Sequence, residues 1–226
     1  MARVLVTGAT GFIGAHAVEH LVAAGHDIHC ITRGGGNIPN VNWHRADLLG
    51  DELVLTGLVS GIRAESLLHL AWLVEPGKFW NDAENLAWVV ASLSLYRAFA
   101  TAGGRRMVIA GTCAEYGMQS GQLKDMIETK PNTPYGFAKD SLRRQLQDLQ
   151  KVEPFNLTWA RLFYLYGEGQ SDASLLSQLK RAVGNGDKKF NMSGGEQLRD
   201  YLPVPKVAKY LLDLAINKEY NGIVNI

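Results

Sequence analysis

Short runs of apolar and β-branched residues alternate along this chain with longer stretches whose apolar positions recur at helical spacing. The runs Arg3–Thr7, Asp27–Thr32, Val41–Ala46, Ser66–Ala71, Arg106–Gly111, Asn156–Leu162 and Gly222–Ile226 read as strands, and the segments between them as helices. Leu67-Leu68-His69-Leu70-Ala71 and Met107-Val108-Ile109-Ala110 are apolar almost throughout, which predicts a parallel sheet covered by helices on both faces. Strand and helix in alternation give an α/β fold, a doubly wound parallel sheet whose ligand crevice lies at the carboxyl ends of its strands. From Tyr164 to Pro203 the pattern turns irregular and glycine-rich, with Gly184-Asn185-Gly186 and Ser193-Gly194-Gly195, and predicts a small substrate-side lobe. The division expected is a main sheet domain over 1–163, the lobe over 164–203, and a last helix and strand returning to the sheet over 204–226.

Residues at the ends of those strands carry the candidate chemistry. Gly8-Ala9-Thr10-Gly11-Phe12-Ile13-Gly14 follows the first strand and opens a helix. Gly8, Gly11 and Gly14 allow a tight turn, close approach of backbone to phosphate and close packing of the helix, whose N-terminus offers free N–H groups. Strand before and helix after favour a dinucleotide site over a structural turn, with Thr10, Phe12 and Ile13 in the same cradle. After the second strand, Thr32-Arg33-Gly34 puts a guanidinium where a carboxylate would select NAD. Arg33 therefore favours NADP(H), with NAD(H) as the alternative and a solvated loop arginine as the plain reading. Asp47 and Leu48 end the third strand, Asp47 either bonding the adenine amino group or capping the next helix. Leu70 and Ala71 end the fourth.

Tyr135-Gly136-Phe137-Ala138-Lys139 follows Pro134, a residue suited to a first helical turn. Residues four apart share a face, so Lys139 is expected beneath Tyr135, its ammonium drawing the phenol pKa down from about 10 toward neutrality. Such a tyrosine both takes and gives a proton, as hydride chemistry on a C–OH/C=O pair requires. Thr112, at the end of the fifth strand, supplies a hydroxyl to the same oxygen. Tyrosine and lysine alone are an ordinary amphipathic pair; beside a nucleotide turn they point to an enzyme rather than a dinucleotide sensor or scaffold.

Composition narrows the classes. The chain has 226 residues, enough for one large domain, and 23 basic against 22 acidic residues leave no electrostatic footprint for nucleic acid or an anionic membrane. Arg105-Arg106 and Arg143-Arg144 are expected on solvated faces. Cys30 and Cys113 lie far apart and suggest neither disulfide nor metal; with no leader pattern at Met1-Ala2-Arg3, a cytoplasmic location is expected. The apolar stretch from Leu86 to Ala100 is shorter than the roughly 20 residues of a membrane span. His16 and His20 share a helical face without a third ligand, so no metal is expected. Trp72, Trp80, Trp88 and Phe79 either shape a sugar pocket by stacking or simply pack.

Taken together, Gly8–Gly14, Asp47-Leu48, His69-Leu70-Ala71, Asn85, Thr112 with Tyr116-Gly117, Tyr135 to Lys139, Arg161 with Tyr166-Gly167, and Arg199-Asp200-Tyr201 resemble an extended short-chain dehydrogenase/reductase of the NAD(P)-dependent epimerase/dehydratase family, over essentially the whole chain. The resemblance implies a Rossmann-like fold, Thr112, Tyr135 and Lys139 as catalytic triad, and a nucleotide-sugar substrate whose diphosphate Arg199 grips. It further implies substrate contacts at Asn85, Thr112, Cys113 and Tyr164, and a homodimer formed through the helix Asn85–Ala102 and the one from Pro134. Cys113 and Ala114 stand where similar dehydratases carry Asp-Glu, which disfavours dehydration, and Glu115 is expected to face elsewhere. Gly111–Gly117 most resembles reductases and epimerases of 4-keto-6-deoxy nucleotide sugars, so reduction of a sugar ketone by NADPH is the leading expectation and a 4-epimerase that retains NAD the alternative. Tyr164 replaces a frequent asparagine and Pro205-Lys206 a frequent acidic residue. Members of the family usually continue beyond the last strand, leaving a truncated chain, an incomplete gene or a compact variant as open readings.

Overall fold

The computed structural model describes residues 1–216 and 220–226. In order the elements are β1 (Arg3–Thr7), α1 (Phe12–Ala23), β2 (Asp27–Thr32), β3 (Asn42–Arg45), α2 (Glu52–Ile62), β4 (Ser66–His69), α3 (Glu84–Thr101), β5 (Arg106–Thr112), a 3-10 turn (Cys113–Tyr116), α4 (Pro134–Leu149), β6 (Asn156–Leu162), β7 (Tyr164–Tyr166), α5 (Leu175–Gly184), β8 (Tyr201–Pro203), α6 (Val204–Ile216) and β9 (Gly222–Asn225). The seven strands expected from the apolar runs all pair, in the order β3-β2-β1-β4-β5-β6-β9, and every pairing is parallel.

Alternation within each strand explains why those runs lack a polar face. Leu5, Leu67, Met107, Ile109, Leu157 and Trp159 join one buried cluster with residues of α2, α3 and α4, while Val4, Val6, Leu68, Val108, Ala110 and Ala160 join another with α1 and α6. Each large side chain removed from water this way contributes roughly 1.5–3 kcal/mol before entropy is counted. Strand order reverses between β1 and β4, which opens a crevice beyond their carboxyl ends.

Local chemistry sets the helix starts that face this crevice. Asp51 caps α2 by accepting from the Leu53 amide at 2.8 Å, and Thr133 caps α4 by accepting from Gly136 N at 3.1 Å, with Pro134 in the first turn. Two expectations change here. The 164–203 stretch is not irregular throughout: β7 and β8 form a two-stranded parallel sheet, and Ser174 caps α5, an amphipathic helix with no buried residue. Nor are both basic pairs solvated, because Arg143 and Arg106 are each only 7% exposed, Arg143 being drawn inward by Asp140 and Glu115. No helix among the described residues is long and apolar enough to cross a membrane.

Candidate active site

The turn after β1 requires glycine at two points, Gly8 and Gly14. Gly8 adopts φ +74°, and a Cβ there would lie 2.6 Å from Ala71 N, so this turn packs directly on the Leu70-Ala71 backbone beyond β4. A Cβ on Gly14 would sit 2.0 Å from Gly8 O. Gly11 is the N-cap of α1 and offers no side chain to the first-turn amides, which leaves the positive end of the helix for an anion. These residues fit a dinucleotide: bare amides, a backbone surface with no side chain in the way, and Thr10, Phe12 and Ile13 around it.

The other proposed cofactor residues stand along the same crevice. Arg33 is exposed just beyond β2, where the Thr32 hydroxyl accepts from Gly34 N and Gly35 N at 3.1 and 2.7 Å. Asp47 is exposed beyond β3 and does not cap α2, the task of Asp51; its Oδ1 accepts from Leu49 N at 3.1 Å. Leu48 is half-buried against the core. Beneath Ala71, Thr7 Oγ1 accepts from the Ala71 amide and lies 2.6 Å from His69 Nδ1, while His69 Nε2 meets Ser92 Oγ at 2.9 Å. Ser92 spends its own proton on Trp88 O, so His69 donates through Nε2 and accepts through Nδ1 as a neutral ring. Burial, reinforced by the charge of Lys139, pushes its pKa down to about 3.

Thr112, Tyr135 and Lys139 come together where β5 ends against the start of α4, and all three are buried. Burial holds the Tyr135 phenol above its ordinary pKa, the hydrogen bond with the Thr112 side chain draws it downward without offsetting burial, and Glu115 and Cys113 add to the rise. The expected lowering is thus reversed, and Tyr135 stays protonated at neutral pH. One reason lies in Lys139, whose ammonium is held elsewhere: Nζ donates to Ala110 O at 2.8 Å and sits 3.7 Å from the centroid of the Trp72 ring. Burial pulls the Lys139 pKa down to about 7, against which Glu115 raises it.

Aromatic side chains wall this group. Phe79 and Trp80 meet the Tyr135 ring edge-on, with centroids 4.9 and 5.6 Å away, and Trp88 packs on Trp72 at 6.0 Å. Asn85, expected on a substrate, is instead spent inside the protein. Its Oδ1 accepts from Trp72 Nε1 at 2.8 Å and its Nδ2 donates to Phe79 O and Asp82 O at 2.7 and 2.8 Å. Asn85 therefore bears on the site through Trp72, because every polar atom of a 1% exposed amide must find a partner within the fold.

On the lobe side, Arg199 lies with Cζ 4.4 Å above the Tyr164 ring, and Tyr201 adjoins Tyr164 at 5.4 Å. Backbone pairing of β7 with β8 creates this juxtaposition. The charge of Arg199 reaches Cys113, whose thiol burial nonetheless keeps above its usual pKa, so Cys113 is a neutral neighbour of Thr112 rather than a nucleophile. His16 and His20 reach Glu168 O and Pro205 O, tying α1 to the chain beyond β7, and no group of three His, Cys, Asp or Glu among the described residues could hold a metal ion.

Sequence reasoning missed the cluster behind Thr112. Glu115 does face away from the crevice, into an interior where Thr112 N, Trp159 Nε1 and Arg161 Nε all donate to it. A glutamate three residues after a β-strand threonine is a capping-box pattern, and here both halves of the box form.

Residues 4–226 match the family model described as the NAD dependent epimerase/dehydratase family. Among curated proteins, the chain is 31% identical over 230 residues to dTDP-6-deoxy-L-talose 4-dehydrogenase (NAD(+)) of Aggregatibacter actinomycetemcomitans, covering 99% of this chain and 83% of that one. It is 28% identical over 252 residues to UDP-glucose 4-epimerase of Neisseria meningitidis serogroup C, covering 92% and 71%. Among solved structures it is similar to UDP-N-acetylglucosamine 4-epimerase from Methanobrevibacter ruminantium M1 in complex with UDP-N-acetylmuramic acid, with TM-score 0.87, 25% identity and coverage of 100% and 76%. It is also similar to MoeE5 in complex with UDP-glucose and NAD, with TM-score 0.84, 28% identity and coverage of 99% and 75%.

Proposed function

The chain belongs to the NAD dependent epimerase/dehydratase family, and from that premise we propose that it reduces a 4-keto-6-deoxy nucleotide sugar, or oxidises the corresponding alcohol, with Tyr135 as the proton donor and acceptor. The observation that carries this reading is the contact of the Thr112 side chain with the Tyr135 phenol at the carboxyl end of β5, the same end of the parallel sheet from which the glycine turn leaves β1. A dinucleotide held on the Gly8–Gly14 turn would supply the hydride for reduction and take it up in oxidation. Thr112 hydrogen-bonds the carbonyl oxygen and polarises it; Tyr135 delivers the proton that makes it a hydroxyl. Phe79 and Trp80 keep water from the phenol. Arg199 and Tyr164 bind the diphosphate and the nucleotide side of the substrate, in a lobe over 164–203.

Similarity to a 4-dehydrogenase of a 6-deoxy sugar over 99% of the chain supports the position and the sugar class. For the cofactor, the NAD(+) in that relative's name and the NAD bound in MoeE5 favour NAD(H) over the NADP(H) expected from Arg33. Exposed Leu86 and Val90 on α3 and Phe137 on α4 support a homodimer through those helices. The test is to offer a panel of nucleotide 4-keto sugars with NADH and, separately, NADPH, and to follow loss of the reduced cofactor. Oxidation with a 4-keto-6-deoxy substrate is expected, and none across the panel would overturn the reading. A second reading, 4-epimerisation, is favoured by the similarity to UDP-glucose 4-epimerase; it requires dinucleotide that stays with the protein through purification and no net oxidation.

A further inference from the structure

Glu115 has no exposed surface. Its Oε1 accepts from Thr112 N at 2.9 Å and Trp159 Nε1 at 2.8 Å, its Oε2 accepts from Arg161 Nε at 2.7 Å, and Arg143 Nε lies 3.6 Å from Oε2. Arg161 passes the connection on, donating to Tyr116 Oη at 2.8 Å and Asp125 O at 3.0 Å. Tyr116 Oη in turn lies 2.9 Å from both Lys124 O and Asn225 Oδ1, and Arg144 donates to Thr129 Oγ1 at 2.9 Å. One carboxylate thus joins the turn under Thr112 to β6, to α4, to β9 and to the 117–133 loop that leads into Tyr135.

The cluster is built into the sequence around it. A Cβ on Gly111 would lie 2.2 Å from Trp159 Nε1 and 2.8 Å from Glu115 Oε1, so glycine before Thr112 is what admits the carboxylate. Stability gives no sufficient reason for it, since burying charges costs about as much as their pairing returns, and apolar residues of equal volume often serve as well or better. Its location offers a reason. Burial raises the Glu115 pKa, against which Arg161, the Thr112 amide and Trp159 favour the carboxylate, and its charge in turn works to raise the pKa of Tyr135 and of Lys139. The other titratable group coupled to Lys139 is His69 of β4, which is neutral, while Asp140 and Arg143 on its own helix pair with each other.

Resting on the acid-base reading of Thr112, Tyr135 and Lys139 given above, we propose that Glu115 is a positioning residue of the reaction. Its carboxylate, held by Thr112 N, Trp159 Nε1 and Arg161 Nε, fixes the turn that presents the Thr112 hydroxyl and places a negative charge behind the site in a dry interior.

Glu115→Gln keeps the volume and removes the charge. Expected are dinucleotide binding within about twofold of wild type, kcat down about 10- to 100-fold with little change in KM, and an alkaline limb of the pH profile moved to lower pH by about one unit, because Lys139 loses its counter-charge. The double variant Glu115→Gln/Arg161→Met, which also removes the guanidinium left unpaired, should recover thermal stability and neither kcat nor the alkaline limb. It also serves if the single variant fails to fold. A readout free of turnover is the optical titration of the Tyr135 phenol, taken as the difference between each protein and its Tyr135→Phe counterpart. Ionisation should begin at lower pH in both Glu115 variants, since the carboxylate holds the phenol pKa up. Unchanged kcat and alkaline limb, recovery of both in the double variant, or an unmoved phenol titration would each overturn the proposal. Wild-type protein that binds dinucleotide but turns over no nucleotide sugar would count against the reading of the reaction, and the phenol titration would then decide the role of Glu115 by itself.

Discussion

Lys139 carries its ammonium on the face of Trp72, 3.7 Å from the ring centroid, rather than against the phenol one helical turn before it. A desolvated cation on an indole face gains about 2 kcal/mol, and the bond to Ala110 O at 2.8 Å completes the anchorage. Trp72 is itself immobilised by Asn85 and packed by Trp88, so the position of a charge in the site is settled by three residues outside the Thr112–Tyr135–Lys139 group.

Replacing Trp72 should separate these contributions. Trp72→Phe keeps an aromatic face but leaves Asn85 Oδ1 without its donor, at a cost of about 1–3 kcal/mol. Trp72→Leu loses the face as well and should cost about 3–5 kcal/mol. Urea unfolding at neutral pH measures both, and equal losses would show that the indole face does nothing for Lys139.

Gly14→Ala tests the cradle. Its Cβ would arrive 2.0 Å from Gly8 O, so the turn must open, and dinucleotide affinity should fall at least about tenfold, or about 1.4 kcal/mol, by calorimetric titration. Gly57→Ala is the control: it lies within α2 with open space around its Cβ, so binding should be unchanged and stability raised by about 0.5–1 kcal/mol. Retained affinity in Gly14→Ala would mean that the dinucleotide does not use this turn.

The sequence made the sheet legible because burial on both faces leaves a signal in every strand, and seven apolar runs became seven parallel strands. The glycine turn was legible for a similar reason, its spacing being set by contacts only a few residues apart. Lys139 was not, because helical periodicity places a Cα on a face and cannot say where a flexible four-carbon stem takes its charge; that depends on Trp72, 67 positions earlier. Asn85 was read from a motif as a substrate contact, yet its amide is consumed by Trp72, Phe79 and Asp82, partners fixed only once the 70–85 segment folds. Arg143 illustrates the converse error. A basic pair on a helix ordinarily faces water, and this one turns inward because Asp140 lies one turn before it and Glu115 waits beneath.

Tyr135→Phe should divide binding from chemistry. The ring keeps its edge-on contacts with Phe79 and Trp80, so folding and dinucleotide affinity should remain near wild type, while turnover should fall about 100- to 10,000-fold for want of a proton donor. Turnover within a few-fold of wild type would remove Tyr135 from the reaction.

His69 should give the protein a distinctive sensitivity to acid. The ring is 1% exposed with both nitrogens engaged, and its pKa is pushed down from 6.5 to about 3. Above pH 6.5 neither the folded nor the unfolded chain protonates it, so it adds no pH dependence. As pH falls from 6.5 toward 3, the unfolded chain binds a proton that the folded one refuses, and stability declines by up to about 1.4 kcal/mol per unit. Between pH 7 and pH 5 this amounts to about 2 kcal/mol. His69→Gln cannot titrate and should be the less stable protein at pH 7, through lost packing and hydrogen bonds, but the gap to wild type should narrow by about 2 kcal/mol at pH 5. Carboxylates elsewhere, and Lys139 above pH 7, act on both proteins alike and cancel in the difference. Parallel stability curves from urea unfolding at the two pH values would mean that His69 accepts a proton inside the fold, and that the Thr7 and Ser92 hydroxyls do not hold it neutral.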